Sequence, residues 1–287
     1  MAGVRILCGA WLFTTAFAAP ALAQSAVGDY FDTWYDRVNE AQSSQPHWMT
    51  PLATVTPRLE QEFRYDQNFQ RTNTDANITI YDGGKGLELI PTTTNEILLN
   101  LPPYEERTGA KAASGWADWP LLTVKQRLAS ANEDNGNYIV TAFLGLQKPL
   151  NNRAFSNHAY VITPTIAGGK GWGDFSVQAT LGAGIPTEHA NTIGTSFITN
   201  VALQYHIDEY FWPEIEFNDT KWSGGARGGL NQLFMTFGII FGRFQLAEHA
   251  RFIIGGGYQT ALSPTLVKVP LTPAYDHNWL LSARLAF

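Results

Sequence analysis

The last ten residues, NWLLSARLAF at 278–287, show the pattern that decides the fold class of this chain. Every second residue, counted back from the end, is apolar: Phe287, Leu285, Ala283, Leu281 and Trp279. The residues between them are mostly small or polar: Ala286, Arg284, Ser282, Leu280 and Asn278. Because a β-strand projects successive side chains to opposite faces, this stretch predicts a strand with one wholly apolar face. A half-buried strand of a water-soluble protein shows the same alternation, so other parts of the sequence must distinguish the two classes.

The start of the chain, residues 1–23, predicts a cleaved export signal. A single positive charge at Arg5 precedes the apolar run ILCGAWLFTTAFAA at 6–19. The A-x-A triplet at 21–23 then offers small residues at the two positions that a signal peptidase recognises. A membrane anchor is the alternative, but the apolar run is short and ends at Pro20. We therefore expect an exported protein whose mature chain begins after this triplet.

Cysteine usage and net charge exclude several classes of protein. Cys8 is the only cysteine and lies in the predicted signal, so the mature chain has no disulfide scaffold, thiolate metal site or cysteine nucleophile. It follows Leu7 rather than a small residue, which argues against a lipoprotein. The net charge of -6 argues against nucleic acid as a partner.

The remaining composition favours a transmembrane β-barrel. Charged residues make up 15% of the chain, against about a quarter in soluble domains, while aromatic residues reach 13% and glycines number 26. Mean hydropathy is only -0.14, and after the signal no apolar run reaches the ~18 residues that a membrane helix needs. In a barrel wall apolar and polar residues alternate, so the two kinds cancel in the average.

Strand-type alternation recurs along most of the chain, most clearly in DFSVQATLGA at 174–183. We predict an all-β fold, a transmembrane antiparallel up-and-down β-barrel of about twelve strands. The strands are expected near 52–66, 76–82, 86–101, 118–129, 137–148, 158–167, 173–184, 194–206, 209–217, 230–243, 249–262 and 276–287. Pro91 interrupts the third of these, which leaves the strand count between 68 and 101 open.

The connections between the predicted strands alternate between short and long. Outer-membrane barrels have short periplasmic turns and longer external loops, and an even number of strands returns both chain ends to the periplasm. Closing such a barrel in lipid requires the last strand to pair with the first, because hydrocarbon offers no partner to an open edge. Loop lengths and chain ends therefore favour the same architecture.

The alternating C-terminal strand with its final aromatic residue resembles the recognition signal of bacterial outer-membrane proteins. We expect the barrel-assembly machinery to recognise its outward-facing residues, which are Trp279, Leu281, Leu285 and Phe287. In the finished barrel Phe287 is expected in the periplasmic aromatic girdle.

One segment departs from the strand pattern. GDYFDTWYDRVNEAQ at 28–42 has apolar residues at helical spacing, which predicts a short amphipathic helix. The helix would either plug the lumen or lie at the periplasmic membrane surface. The predicted organisation is a signal peptide at 1–23, a periplasmic helix and linker at 24–50, and an outer-membrane barrel at 51–287.

Strand parity also predicts which charged residues face the lumen. The set contains four acids and four arginines: Arg58, Glu60, Glu62, Arg64, Glu214, Glu216, Arg251 and Arg284. Glu214 and Glu216 are either a paired acid site or lumen charges that pair with cations across the barrel, and we favour the second. The candidate cations are Lys125, Arg127, Arg251 and Arg284.

Evidence for catalysis in the sequence is slight. Ser156 and His158 would share one strand face, as the nucleophile and base of a hydrolase do, but we favour a polar loop edge as the interpretation of the pair. The six histidines show neither the H-x-H nor the H-E-x-x-H spacing of a zinc site. We therefore expect no enzyme activity, no metal and no cofactor.

Three stretches together resemble a known family: GKGWGDFSVQATLGAGIP at 169–186, GGLNQLFMTFGIIFGRF at 228–244 and FIIGGGYQTALSP at 252–264. With the terminal Phe287, they are similar to the meta-pathway phenol degradation family of Gram-negative outer-membrane proteins. The resemblance covers roughly residues 138–287. It implies a role in the passage of aromatic or other hydrophobic compounds, and it brings no agreed catalytic residues.

These observations predict a protein of the bacterial outer membrane, in contact with outer-membrane lipid. The favoured function is a narrow channel or uptake route for small molecules, hydrophobic or aromatic ones included. The main alternative is a structural or binding barrel whose lumen is filled and carries nothing. An outer-membrane lipid hydrolase is the third possibility.

Overall fold

The computed structural model describes residues 27–72, 76–83, 85–109, 111–263 and 275–287, so the predicted signal peptide lies outside the described residues. A helical turn at 27–32 precedes helix α1. The elements are α1 (Trp34–Ser43), β1 (Glu62–Arg71), β2 (Asn77–Tyr81), β3 (Gly86–Thr92), β4 (Asn95–Asn100), β5 (Tyr104–Arg107), β6 (Ala113–Trp116), β7 (Trp119–Ala131), β8 (Tyr138–Lys148), β9 (Val161–Trp172), β10 (Phe175–Pro186), α2 (Ala190–Ile193), β11 (Thr195–Tyr205), β12 (Phe211–Ser223), β13 (Asn231–Ala247), β14 (Ala250–Ala261) and β15 (His277–Ala286).

These strands form one antiparallel sheet that closes on itself. Each strand from β7 to β15 pairs with the next, and β15 pairs with β1 over ten residue pairs, from Glu62 with Ala286 to Arg71 with His277. Three strands of the barrel are broken: β2 continues as β3, β4 continues as β5, and β6 continues as β7. Counting each broken strand once gives twelve, so the predicted transmembrane barrel is confirmed.

The structure corrects the predicted strands near the N-terminus. The segment at 86–101 is a hairpin with its turn at 93–94, and 77–92 is one strand broken at 82–85. The next strand breaks at Pro102 and Pro103, which have no amide hydrogen to donate to a ladder. The first strand begins at Glu62 rather than near residue 52, because residues 51–61 lie inside the barrel.

The two faces of the wall differ as a membrane barrel requires. On β15 the outward side chains Trp279 and Leu281 are 60% and 52% exposed, whereas the inward Ser282 and Arg284 are 2% exposed. Aromatic pairs mark both rims: the rings of Trp172 and Phe175 stack at the short-turn end, and those of Tyr258 and Trp279 meet at the loop end. An apolar outer band between aromatic girdles is the surface that such barrels present to lipid.

Among the described residues no helix is long and apolar enough to cross a membrane. The short turns lie at one end of the barrel, which also holds the start of β1 and the end of β15. We call this end the turn side and the opposite end, with the longer connections, the loop side.

Candidate functional site: a lumen filled by the N-terminal segment

The lumen is occupied by residues 46–61, which we call the plug. This segment leaves α1 at the turn side, runs into the barrel, reverses near Leu52 and returns to the start of β1. All of its residues are buried except His47, Ala53 and Val55. We call residues 50–54 its apex and residues 55–61 its return leg.

Two carboxylates on β12 bind the backbone of the apex. Glu214 accepts a hydrogen bond from the Leu52 amide at 3.0 Å, and Glu216 accepts from the amides of Ala53 and Thr54 at 2.7 and 2.6 Å. Glu214 and Glu216 lie two residues apart on one strand, so both project inward. The bend at 52–54 therefore presents three amide donors to two buried acids.

The predicted cations across the barrel do not form direct ion pairs with these acids, although the charge of Glu214 acts on Arg284 from farther away. Among the described residues, none of the ion pairs within 4.0 Å includes Glu214 or Glu216. Of the candidate cations, Lys125 pairs with Glu96 and Arg127 donates to the Ala41 carbonyl. Successive backbone amides can hold an anion as a cation does, and sequence parity gives no sign of them.

Arginines bind the carbonyl groups of the same bend. Arg64 donates to the Leu52 carbonyl at 2.5 Å and to that of Pro51 at 3.2 Å. Arg284 donates to the carbonyls of Thr50 at 2.6 Å and Pro51 at 3.1 Å. The guanidinium of Arg64 is itself held by Asp66, with oxygen contacts at 2.8 and 2.9 Å. The wall thus satisfies both the donors and the acceptors of the apex.

Glycines on the inward face make room for the Leu52 side chain. A Cβ atom would lie 2.5 Å from Leu52 Cδ1 at Gly238, 3.1 Å from it at Gly257 and 2.8 Å from Leu52 Cδ2 at Gly255. These three glycines come from neighbouring positions of β13 and β14. They form a socket for Leu52, so the glycine content of the late strands fits the apex rather than wall curvature alone.

The return leg carries charges of its own and lies against a buried ion pair of the wall. Arg58 and Glu60 form an ion pair at 2.9 Å, and the Glu60 amide donates to Glu96 at 2.6 Å. Lys125, paired with Glu96 at 2.9 Å, also donates to the Arg58 carbonyl at 3.1 Å. Lys125 and Glu96 are both fully buried. Removing one charge from this group would leave another without its partner.

Helix α1 crosses the turn-side mouth. Near its C-terminus the carbonyls of Ala41 and Ser43 accept hydrogen bonds from Arg127 at 2.8 Å and Asn132 at 3.0 Å. Toward its N-terminus, the ring of Tyr35 stacks on His249 with centroids 4.5 Å apart. The helix was expected either to plug the lumen or to lie at the membrane surface; it covers the mouth, and the linker after it fills the lumen.

Cavities remain on both sides of the plug. The turn-side chamber has a volume of about 340 Å³, and the loop-side chamber has a volume of about 240 Å³. Thr50 lines both chambers, and its hydroxyl donates to Glu60 at 2.9 Å. A further cavity of about 170 Å³ shares Gln147 and Thr163 with the loop-side chamber. The cavities therefore follow one another along the lumen, and the plug separates the turn-side chamber from the other two.

The predicted lumen residues fall into three groups. Those on inward strand faces, all buried, are Glu62, Arg64, Glu214, Glu216 and Arg284. Arg58 and Glu60 belong to the plug and not to a strand. Arg251 is exposed at the turn-side rim, where it donates to Gln245 at 3.2 Å and lines the turn-side chamber.

The assembly-signal residues lie at the end of β15. Trp279, Leu281 and Leu285 are exposed on the outer face, as their alternation predicted. Phe287 is partly buried beside the turn-side chamber, and its amide donates to the Gln61 carbonyl at 3.0 Å.

Strand parity did not predict that Arg243 faces the lumen. Its guanidinium donates to the carbonyls of His47 and Trp48 at 2.7 and 3.0 Å. The inward residues of β13 have even numbers, so an odd-numbered arginine was expected outside. A β-bulge after Gly242, with a φ of 56° at Arg243, turns the side chain inward. The only sequence signal is Gly242 itself, because glycine inside a strand often marks a bulge.

The structure does not join Ser156 and His158 as a catalytic pair. The Ser156 hydroxyl accepts a hydrogen bond from the backbone amide of His158, and the His158 ring contacts Asn151 at 3.3 Å. Among the described residues, no group of three or more His, Cys, Asp or Glu could hold a metal ion.

No protein-family model matches the sequence, and no curated protein matches it. Among solved structures, an outer-membrane channel from Pseudomonas putida F1 is similar over 78% of this chain and 92% of that chain, with TM-score 0.53 and 16% identity. The NanC porin aligns over 78% of this chain and 98% of that chain, with TM-score 0.48 and 9% identity. At this identity the similarity to the Pseudomonas channel is one of fold. This chain accordingly has the transmembrane barrel fold that an outer-membrane channel uses.

Proposed function

We propose that this protein is an outer-membrane channel for small molecules, closed at rest by its own N-terminal segment. The observation that carries the proposal is the division of the lumen into two chambers by the plug, with Thr50 lining both. Eight strands enclose an interior that side chains just fill, whereas about sixteen leave an aqueous channel. A twelve-stranded wall has space for a path, and here a movable segment occupies that space.

The proposed location is the bacterial outer membrane, reached through a cleaved signal peptide and the barrel-assembly machinery. Short turns mark the periplasmic end of such barrels, so the plug and α1 would enter from the periplasm. The predicted assembly signal at the end of β15 stays part of this proposal.

The proposed solutes are small and include hydrophobic or aromatic compounds. Their size follows from the chambers, which at about 240 and 340 Å³ lie near or below the lower end of the roughly 300–1,000 Å³ of drug-sized sites. Apolar side chains on the loop-side wall, Leu98, Phe143 and Leu146 among them, would contact an apolar solute. The resemblance to the phenol degradation family points to the same class.

The test weakens the hydrogen bonds that hold the apex while keeping the size of the wall side chains. The double variant Glu214→Gln, Glu216→Gln replaces the two acids that accept hydrogen bonds from the three apex amides by neutral amides of the same size. In liposomes we expect the variant to pass a monoaromatic compound such as phenol about tenfold faster than the wild type, since a factor of ten corresponds to about 1.4 kcal/mol. Glu188→Gln, on an exposed loop, is the matched control and should behave like the wild type.

The second candidate, a barrel that carries nothing, is favoured by the many bonds that hold the plug. It predicts that neither the wild type nor the double variant admits any solute. A wild type that conducts like a wide porin would instead show that the plug does not close the lumen.

A further inference from the structure

The loop-side chamber combines an apolar wall with an excess of positive charge. Its charged lining residues are Arg64, Lys85, Glu88 and Lys125, three cations and one acid. Two of the cations already have partners, because Arg64 binds Asp66 at 2.8 Å and Lys125 binds Glu96 at 2.9 Å. Lys85 differs from both: among the described residues, its ammonium group takes part in no ion pair within 4.0 Å and no hydrogen bond, and the carboxylates of Asp66 and Glu88 act on it only from farther away.

The position of Lys85 depends on the break between β2 and β3. Inward residues on both strands have even numbers, so an unbroken strand would direct residue 85 outward to lipid. Three residues of β1 face five of the broken strand here, since Gln67 pairs with Tyr81 and Phe63 pairs with Leu87. Such an excess is a bulge, which re-aims side chains. The break thus brings a lysine into the chamber that regular pairing would place against hydrocarbon.

The backbone around Lys85 is fixed on both sides. Its amide donates to the Asp82 carboxylate at 3.2 Å, and its carbonyl accepts from the Leu101 amide at 2.8 Å. The Gly83 amide donates to the Asp66 carbonyl at 2.8 Å, which ties the break to β1. The side chain of Lys85 therefore extends from a backbone that hydrogen bonds hold in place.

The rest of the chamber wall is suited to an apolar body. Its apolar lining residues are Val55, Leu98, Pro120, Phe143 and Leu146. Hydroxyl groups of Thr123, Thr163 and Thr165 also line it and can donate to an anion. The volume of about 240 Å³ limits a ligand to less than drug size.

We propose that the loop-side chamber is a binding site for small organic anions, with a carboxylate on Lys85 and an apolar or aromatic body against Phe143 and Leu98. The inference deepens the proposed function and rests on it, because it names the solute class that the channel would admit. The single ammonium group of Lys85 suits one carboxylate. The guanidinium of Arg64 already donates two hydrogen bonds to the Asp66 carboxylate.

The test is equilibrium binding to the purified full-length protein in detergent, followed by calorimetry. The probes are benzoate, its neutral analogue benzyl alcohol, the cation benzylamine, and acetate, which has the charge without the ring. We expect benzoate to bind at least tenfold more tightly than each of the other three. Equal affinity for benzoate and benzyl alcohol, or no binding of benzoate, would overturn the proposal.

Variants assign the preference to Lys85. Lys85→Met should abolish the difference between benzoate and benzyl alcohol, Lys85→Arg should keep it, and Lys111→Met on an exposed loop should leave it unchanged. An unfolded Lys85→Met protein, seen as loss of the heat-dependent mobility shift in SDS, would be replaced by Lys85→Gln. A preference for benzoate that persists in the folded uncharged variant would also overturn the proposal.

The result separates this inference from the proposed function. Binding in detergent needs no transport, so a barrel that binds benzoate but passes nothing in liposomes would contradict the channel alone. A barrel that passes phenol in liposomes without preferring benzoate would contradict only the anion site.

Discussion

The apex and the return leg of the plug are held by the barrel wall in different ways. At the apex the wall supplies all the charge, because Glu214, Glu216, Arg64 and Arg284 bind the backbone of an uncharged bend. On the return leg the plug carries its own charges. An apex that withdraws leaves these wall side chains without their backbone partners, and the two chambers that Thr50 lines can supply water to them.

The difference indicates which part of the plug can move. Breaking a buried ion pair by losing one partner costs about 3–5 kcal/mol, because a charge remains uncompensated. The Arg58–Glu60 pair lies within the plug and the Glu96–Lys125 pair lies within the wall, so withdrawal of the return leg would carry two charged side chains away from two buried charges of the wall. Withdrawal of the apex would move no charged side chain. We therefore expect the apex to swing while the return leg stays as a fixed stem.

The largest expected effect is on the return leg. Glu96→Ala removes the partner of the fully buried Lys125 and the acceptor of the Glu60 amide. We expect a loss of about 3–5 kcal/mol in the free energy of unfolding, measured as a lower urea midpoint for the purified barrel in detergent.

A double variant provides the control for this loss. Replacing a buried pair by apolar residues is often neutral, so Glu96→Leu with Lys125→Met should recover most of the stability. A single variant as stable as the wild type would show that the return leg is not held by its charges.

The second effect is at the apex and concerns the glycine socket. Gly238→Val would place a Cβ atom 2.5 Å from Leu52 Cδ1, and overpacking of this kind costs about 1–3 kcal/mol. We expect Leu52 to be displaced and phenol flux in liposomes to rise about tenfold, with a smaller change in the urea midpoint than Glu96→Ala causes.

The matched control lies on the neighbouring strand and the opposite face. A Cβ atom at Gly256 would lie 3.2 Å from the end of the flexible Leu281 side chain, on the lipid-facing side. Gly256→Val should therefore leave flux unchanged. Equal flux from the two variants would show that the socket does not hold the apex.

Sequence periodicity predicted the strands that pair regularly, and it failed for the plug, which lies inside the barrel. The strict alternation of β10 and β15 fixed both their position and their faces. The alternation of Arg58 and Glu60 continues that of Glu62 and Arg64, so strand parity cannot separate the plug from β1. The signal for the boundary was Pro57, which cannot donate to a ladder.

For the same reason, only some of the wall residues that bind the plug were predicted to face the lumen. Glu214, Glu216, Arg64 and Arg284 lie on regular strands, where parity gives the inward face. Arg243 lies at a bulge, where one extra residue reverses the face. Lys85 lies in the break between β2 and β3, where five residues face three of β1 and regular parity does not apply. The partners of Glu214 and Glu216 are backbone amides, which no side-chain pattern reveals.

The smallest expected effect is at the point where the plug enters the barrel. Glu133, in the short turn between β7 and β8, accepts hydrogen bonds from the His47 amide at 2.6 Å and from the His47 ring at 2.9 Å. Burial alone would raise the pKa of Glu133, but these hydrogen bonds outweigh it and hold the pKa below its ordinary value of 4.5. A carboxyl group whose folded pKa is depressed stabilises the folded state above its unfolded pKa and loses that contribution as the pH falls through the folded pKa.

We therefore expect the contact between Glu133 and His47 to be intact at pH 7 and to weaken below about pH 4.5. Both side chains are close to half exposed, so solvent screening keeps the effect small. Hydrogen exchange of the α1 amides measures it: the wild type should exchange faster at pH 4 than at pH 7 once intrinsic rates are corrected, while Glu133→Gln should show the faster corrected exchange already at pH 7. Glu188→Gln should follow the wild type. A wild type and a Glu133→Gln variant with the same corrected exchange at pH 7 would show that the plug is anchored by its apex and return leg alone.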